Sequence, residues 1–161
     1  AFSFVLDKLI LNFIMNDFVI NSMLVVTYFG SFYGVFFLGF LIFLYDRKWK
    51  NYFRYLIALV SATLVGQVIK YLVLRPRPDV PALIIKNTPS FPSSHAVAVF
   101  AVYPILSEKY PDLKYPWLLF AFAVLFSRVY LGTHYPSDVF AGMVLGLAIG
   151  YLILYIEKRY N

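Results

Sequence analysis

Between Phe18 and Tyr45 the chain carries no charged side chain, and the next charge is Asp46. About 20 consecutive apolar residues suffice to cross the hydrocarbon core of a bilayer, and a helix satisfies its own backbone hydrogen bonds there. Four further apolar runs follow, at 52–74, 93–107, 116–130 and 137–155. The expected fold is therefore all-α, an integral membrane bundle of about five transmembrane helices. Composition agrees: 61% of residues are apolar and 14% charged, against about 25% charged in soluble domains. Five spans use up most of 161 residues, so residues 1–161 are expected to form a single membrane-embedded domain.

Ahead of the first run, Ser3, Asp7, Lys8, Asn12 and Asn16 recur about four apart with apolar residues between them. That pattern predicts an amphipathic helix over 3–17 lying at the interface, since it is too short to span. The second run carries Lys70 near its end and stops at Arg75-Pro76-Arg77-Pro78, where proline removes a backbone donor and restricts the residue before it. Pro81, Pro89 and Pro92 mark the segment after it as a loop. Gly142, Gly146 and Gly150 repeat every four residues in the last run, the small-residue spacing that lets helices approach closely in lipid.

The net charge of +6 does not imply a nucleic-acid partner, because Arg47, Lys48, Lys50 and Arg54 gather between two apolar runs, as cytoplasmic loops do. With that loop inside, Lys109, Lys114, Lys158 and Arg159 also fall inside. Lys70, Arg75, Arg77, Ser93, Ser94, His95, Ser127, Arg128, His134 and Asp138 then share the outer face, both histidines of the chain among them. The chain has no cysteine, which excludes disulfides, thiolate metal sites and cysteine nucleophiles.

Taken singly, each of these residues has a structural explanation. A His-x-x-x-Asp pair is common at a helix start, Ser-Ser-His reads as a serine-capped helix, and Lys70, Arg77 and Arg128 can snorkel to the interface. Together at one depth they describe something else. Two histidines, fixed cations, hydroxyls and a helix N-terminus make a pocket for a tetrahedral oxyanion, with a nucleophile and an acid at hand. Two histidines without cysteine make a poor zinc site, so no metal and no cofactor is expected.

Lys70 followed by six residues and Arg77-Pro78, then Pro92-Ser93-Ser94-His95, then Ser127-Arg128, five residues, His134, three residues and Asp138 resemble the three-part signature of the type 2 phosphatidic acid phosphatase superfamily. The resemblance implies that His134 attacks phosphorus, that Asp138 orients it, and that His95 protonates the leaving oxygen. Lys70, Arg77, Ser93, Ser94 and Arg128 would hold the phosphate, and no metal is implied. One position departs from the family: Ser94 stands where a glycine is usual, which a helical N-terminus tolerates and a glycine conformation would not. Arg75 lies outside the signature and is given no more than attraction of the phosphate or headgroup. The apolar composition argues against the soluble haloperoxidase branch. Among membrane members the chain looks most like polyprenyl diphosphate phosphatases, with phosphatidylglycerophosphate, phosphatidic acid and lipid A phosphatases as alternatives. A catalytically silent protein that binds lipid phosphates, or a transferase using the same histidine, are the readings of other classes. The expected partners are a lipid phosphate and the bilayer.

Overall fold

The computed structural model describes residues 16–80, 84 and 87–160. The expected interfacial helix over 3–17 lies almost wholly outside the described residues. Six α-helices and one short 3-10 turn follow in order: α1 (Asp17–Phe29), α2 (Phe32–Asp46), α3 (Trp49–Val73), α4 (Ser94–Lys109), the turn Pro111–Leu113, α5 (Lys114–Tyr130) and α6 (Pro136–Tyr160). The described residues are all helix and connection, as the apolar runs predict.

The first run is not one straight helix. It breaks at Gly30-Ser31, and α1 and α2 meet at 67°. Gly30 ends α1, and the Ser31 hydroxyl accepts from the Gly34 amide at 3.2 Å to start α2. Gly30 also abuts α5, where a Cβ would lie 2.6 Å from Val124. A Gly-Ser pair inside a charge-free run is a turn signal, and here it outweighs the uninterrupted hydropathy. Among the described residues two helices, α3 and α6, are long and apolar enough to cross a membrane by themselves, or three spans if the bent pair counts as one. The expected third and fourth spans became α4 and α5, with 16 and 17 residues. At 1.5 Å per residue each is about 25 Å long, short of the roughly 30 Å hydrocarbon core.

Helix α4 is the axis of the bundle. Its residues from Ala96 to Val102 are all buried, as are Ile105 and Leu106. It is apolar on every side, the pattern of a helix with no solvent face. Around it stand α3, α5 and α6, whose outward residues include Leu64, Val68 and Leu72 on α3, Phe122 and Phe126 on α5, and Phe140 and Tyr151 on α6, all exposed. A surface this apolar suits lipid rather than water. The two ends of the bundle differ. At one end ion pairs join the helices: Arg54 to Glu157 at 2.5 Å, Lys109 to Glu157 at 3.3 Å and Lys158 to Glu108 at 2.7 Å. The other end holds the segment beginnings and loops that carry both histidines.

The glycine repeat of α6 packs against α4, as its spacing predicts. A Cβ on Gly142 would come 2.7 Å from the Ser93 carbonyl, on Gly146 2.6 Å from the Val97 carbonyl, and on Gly150 closer still to the Ala101 carbonyl. These neighbours are backbone and cannot swing aside. Gly66 on α3 is different, with nothing nearer than 3.5 Å. Thermal unfolding in detergent is expected to separate the two: Gly146→Ala lowers stability by about 1–3 kcal/mol through overpacking, whereas Gly66→Ala is neutral or raises it by up to about 1 kcal/mol.

Candidate active site

Asp138 sits in the first turn of α6 and is fully buried. The helix begins only at Pro136, so His134 lies before it, and the two residues do not share a helix face as the four-residue spacing suggests. The carboxylate reaches backwards instead. Its Oδ2 accepts the Tyr135 amide at 3.0 Å and lies 3.5 Å from His134 Nδ1. Reaching back over the helix start is what the acidic member of a capping box does, and the positive end of the helix dipole favours the charge.

The chain arrives at His134 through a tight turn. Gly132 has φ +68°, a left-handed conformation that costs glycine little. The Thr133 hydroxyl donates to the Arg128 carbonyl at 2.9 Å. Arg77 Nη1 donates to the Thr133 carbonyl at 2.6 Å and lies 3.4 Å from His134 Nε2. A guanidinium only donates, so this contact favours the tautomer with Nε2 bare and the proton on Nδ1, facing Asp138.

His95 is the second residue of α4, behind Ser93 as N-cap and Ser94 as first residue. The first amides of a helix have no intrahelical acceptor and point at whatever stands before the helix. Ser94 is a member of that first turn, so no glycine conformation is demanded of it. The Ser93 amide donates to the Asp138 carbonyl at 3.0 Å, which ties the start of α4 to the start of α6.

Lys70 and Arg77 hold the loop that closes this end. Lys70 Nζ donates to the carbonyls of Pro89 and Pro92, both at 2.8 Å. Arg77 Nε donates to the Thr88 carbonyl at 2.8 Å and Nη2 to its hydroxyl at 3.0 Å. Partial burial pulls the Arg77 guanidinium below its usual pKa, and the charge of Asp138 opposes the shift. Lys70, Arg77, Ser94, His95 and His134 line one cleft of about 250 Å³, together with Ser31, Tyr33, Thr63 and Gln67. Arg128 and Ser93 are fully buried and are not among the residues that line it. The Arg77 and Arg128 charges repel each other. Arg128 Nε and Nη2 and the Ser93 hydroxyl have no hydrogen-bond partner among the described residues. Buried donors in that state are costly, and an anion's oxygens are the complement they lack. The described groups thus include an unprotonated imidazole nitrogen, a second imidazole at a helix N-terminus and clustered cations, which can bind a tetrahedral oxyanion, attack it and protonate what leaves.

Sequence reasoning missed two contributions. Arg75 does more than attract a ligand: its Nη1 bonds Asp138 Oδ1 and the Ser137 hydroxyl, each at 2.8 Å, and its guanidinium lies 4.2 Å from the centre of the Tyr135 ring. The alternating Arg-Pro-Arg-Pro was the available signal: two cations two apart in a proline-stiffened segment face different ways. Ser31, Thr63 and Gln67 sit in runs read as plain spans, and polar side chains inside a span were the signal there.

A membrane-embedded helical bundle with a two-histidine, cation-lined cleft at one end is the class that fold and site define. The chain belongs to the PAP2 superfamily, whose family model matches residues 51–161. It is 33% identical over 130 residues to phosphatidylglycerophosphatase B of Bacillus subtilis, covering 73% of this chain and 63% of that one. It is 35% identical over 127 residues to an undecaprenyl-diphosphatase of Sulfolobus acidocaldarius, covering 73% and 61%. The chain thus spans less than two thirds of the length of these relatives. Among solved structures, a transmembrane PAP2-type phosphatidylglycerolphosphate phosphatase from Bacillus subtilis superposes with a TM-score of 0.77 at 27% identity, covering 91% of this chain and 80% of that one. The protein is an integral membrane protein.

The two bonds from Arg75 make a direct test of the Asp138 anchor. A double-mutant cycle of Arg75→Gln and Asp138→Asn, read by thermal unfolding in detergent, is expected to give a coupling of about 0.5–3 kcal/mol. Additive losses would mean that the pair contributes nothing.

Proposed function

We propose that the protein is a lipid phosphatase that transfers a phosphoryl group to His134 and then to water. One observation carries this reading: Lys70, Arg77, Ser94, His95 and His134, drawn from three separated segments, line one cleft, with Asp138 against His134. His134 Nε2 attacks phosphorus, and the bond from phosphorus to the bridging oxygen breaks as His95 gives that oxygen a proton. Water then attacks the phosphohistidine, its proton passing back to His95, and orthophosphate leaves. Asp138 holds the Nδ1 proton and offsets the charge that His134 gains. Lys70, Arg77, Arg128, Ser93 and the Ser94 amide stabilise the equatorial oxygens, where the transition state spreads its charge. No step calls for a metal.

The apolar outer surface beside the cleft supports a lipid substrate, whose phosphate sits at headgroup depth while its tail lies along the spans. Polyprenyl diphosphate, giving the monophosphate, is the substrate we assign, in line with the undecaprenyl-diphosphatase relative. Phosphatidylglycerophosphate is the competing substrate, favoured by a relative of similar identity; phosphatidic acid and lipid A phosphates complete the class. The excess of Lys and Arg at the end away from the cleft supports a cell-membrane protein with its site on the extracytoplasmic face.

Purified protein in detergent with EDTA is expected to release phosphate from polyprenyl diphosphate faster than from phosphatidylglycerophosphate, phosphatidate or lipid A. His134→Ala is expected to reduce release by at least about 10³-fold, the order lost when a nucleophile is removed, while the protein stays folded. A folded wild type that releases phosphate from none of these lipids would overturn the assignment. A short water-soluble phosphate ester is expected to be a much poorer substrate than its long-chain analogue. Equal turnover of the two would remove the case for lipid.

A further inference from the structure

The buried guanidinium of Arg128 is held from a part of the chain that the family match leaves out. Thr27, on α1, lies well before residue 51, where that match begins. Its hydroxyl is 3.1 Å from Arg128 Nη1 and 2.8 Å from the Ser127 hydroxyl. The Ser127 hydroxyl is also 2.7 Å from the Val124 carbonyl.

The direction of every hydrogen in this chain follows from counting donors. A guanidinium cannot accept, a carbonyl cannot donate, and each hydroxyl has one hydrogen. Arg128 Nη1 therefore donates to Thr27, Thr27 donates to Ser127, and Ser127 donates to the Val124 carbonyl. The hydroxyl that meets the cation presents its lone pairs because its own hydrogen is committed elsewhere. All three side chains are buried, so water does not compete readily for these bonds. The anchored nitrogen is Nη1; Nε and Nη2 are the buried donors with no partner among the described residues.

We infer that Thr27 is a positioning residue for phosphate binding, which fixes the Arg128 guanidinium through Nη1 so that its other edge meets the phosphate. This rests on the phosphatase reading in so far as Arg128 is a phosphate ligand. It goes beyond that reading by giving α1 a part in the site. Fixing a cation beforehand lowers the ordering cost at the moment of binding. The bend at Gly30-Ser31 turns α1 from the line of α2 and packs it on α5, the helix that carries Arg128, with Gly30 against Val124.

The test is inorganic phosphate binding by the full-length protein in detergent, measured by calorimetry so that turnover is not needed, beside kcat and KM for the lipid. Thr27→Val keeps the shape and removes the hydroxyl; Thr27→Ser keeps the hydroxyl. T27V is expected to weaken phosphate binding about tenfold, to lower kcat/KM at least as much, and to leave the melting temperature in phosphate-free buffer within a few degrees of wild type. T27S is expected to restore binding to within about twofold of wild type. If T27V does not fold, Thr27→Ala takes its place with the same expectation. Wild-type phosphate affinity and kcat/KM in a folded T27V protein would overturn the inference and leave the phosphatase reading standing. A wild type that neither binds phosphate nor turns over lipid would overturn that reading and the inference with it.

Discussion

The structure of the site depends on one buried carboxylate. Asp138 receives the Tyr135 amide and Arg75 on its two oxygens and stands against His134, while its own carbonyl accepts the Ser93 amide. Three of the segments that build this end of the bundle are thereby tied to the first turn of α6: the loop after α3 through Arg75, the start of α4 through Ser93, and the turn after α5 through His134. A charge removed from water is costly unless it is paired and hydrogen-bonded. Satisfying Asp138 therefore brings the three segments to one place.

The second support is steric. Helices α4 and α6 approach closely enough that a backbone carbonyl of α4 or its N-cap is the nearest neighbour of each of Gly142, Gly146 and Gly150. The closest neighbour of Gly142 is the carbonyl of Ser93, the residue that caps α4 and meets Asp138. Packing of the bundle and placement of the site are thus set by adjacent turns of the same helix pair. Without a strong hydrophobic drive between helices in lipid, such close contacts are a main source of association.

Much of this is legible in the residue order, for definable reasons. Apolar runs in lipid report helices directly, because the backbone has few other options, and α3 and α6 fall close to the runs at 52–74 and 137–155. The glycine spacing reports its own packing. The clustering of Lys70, Arg77, Ser94, His95 and His134 follows from topology alone, since successive spans return the chain to the same end. What is not legible arises where local chemistry overrides hydropathy or where contacts are long-range. The break at Gly30-Ser31 is a matter of two residues in a run that otherwise favours continuity. The backward reach of Asp138 depends on where α6 starts, to within two residues. The bonds of Arg75 and Thr27 join positions 63 and 101 apart in the chain, and no periodicity encodes them.

Lys70 and Arg77 show how such a site keeps its character. Both are held mainly by carbonyl and hydroxyl oxygens of the loop at 88–92 and of Thr133. A carboxylate would hold a cation as firmly but would cancel its charge, and the pair would look neutral from a few ångströms away. Dipoles restrain position and leave the monopole intact. The loop at 88–92 therefore acts as an uncharged mount, and the hydrogen bonds that fix the two cations there do not themselves cancel the charge that the cations present to the cleft.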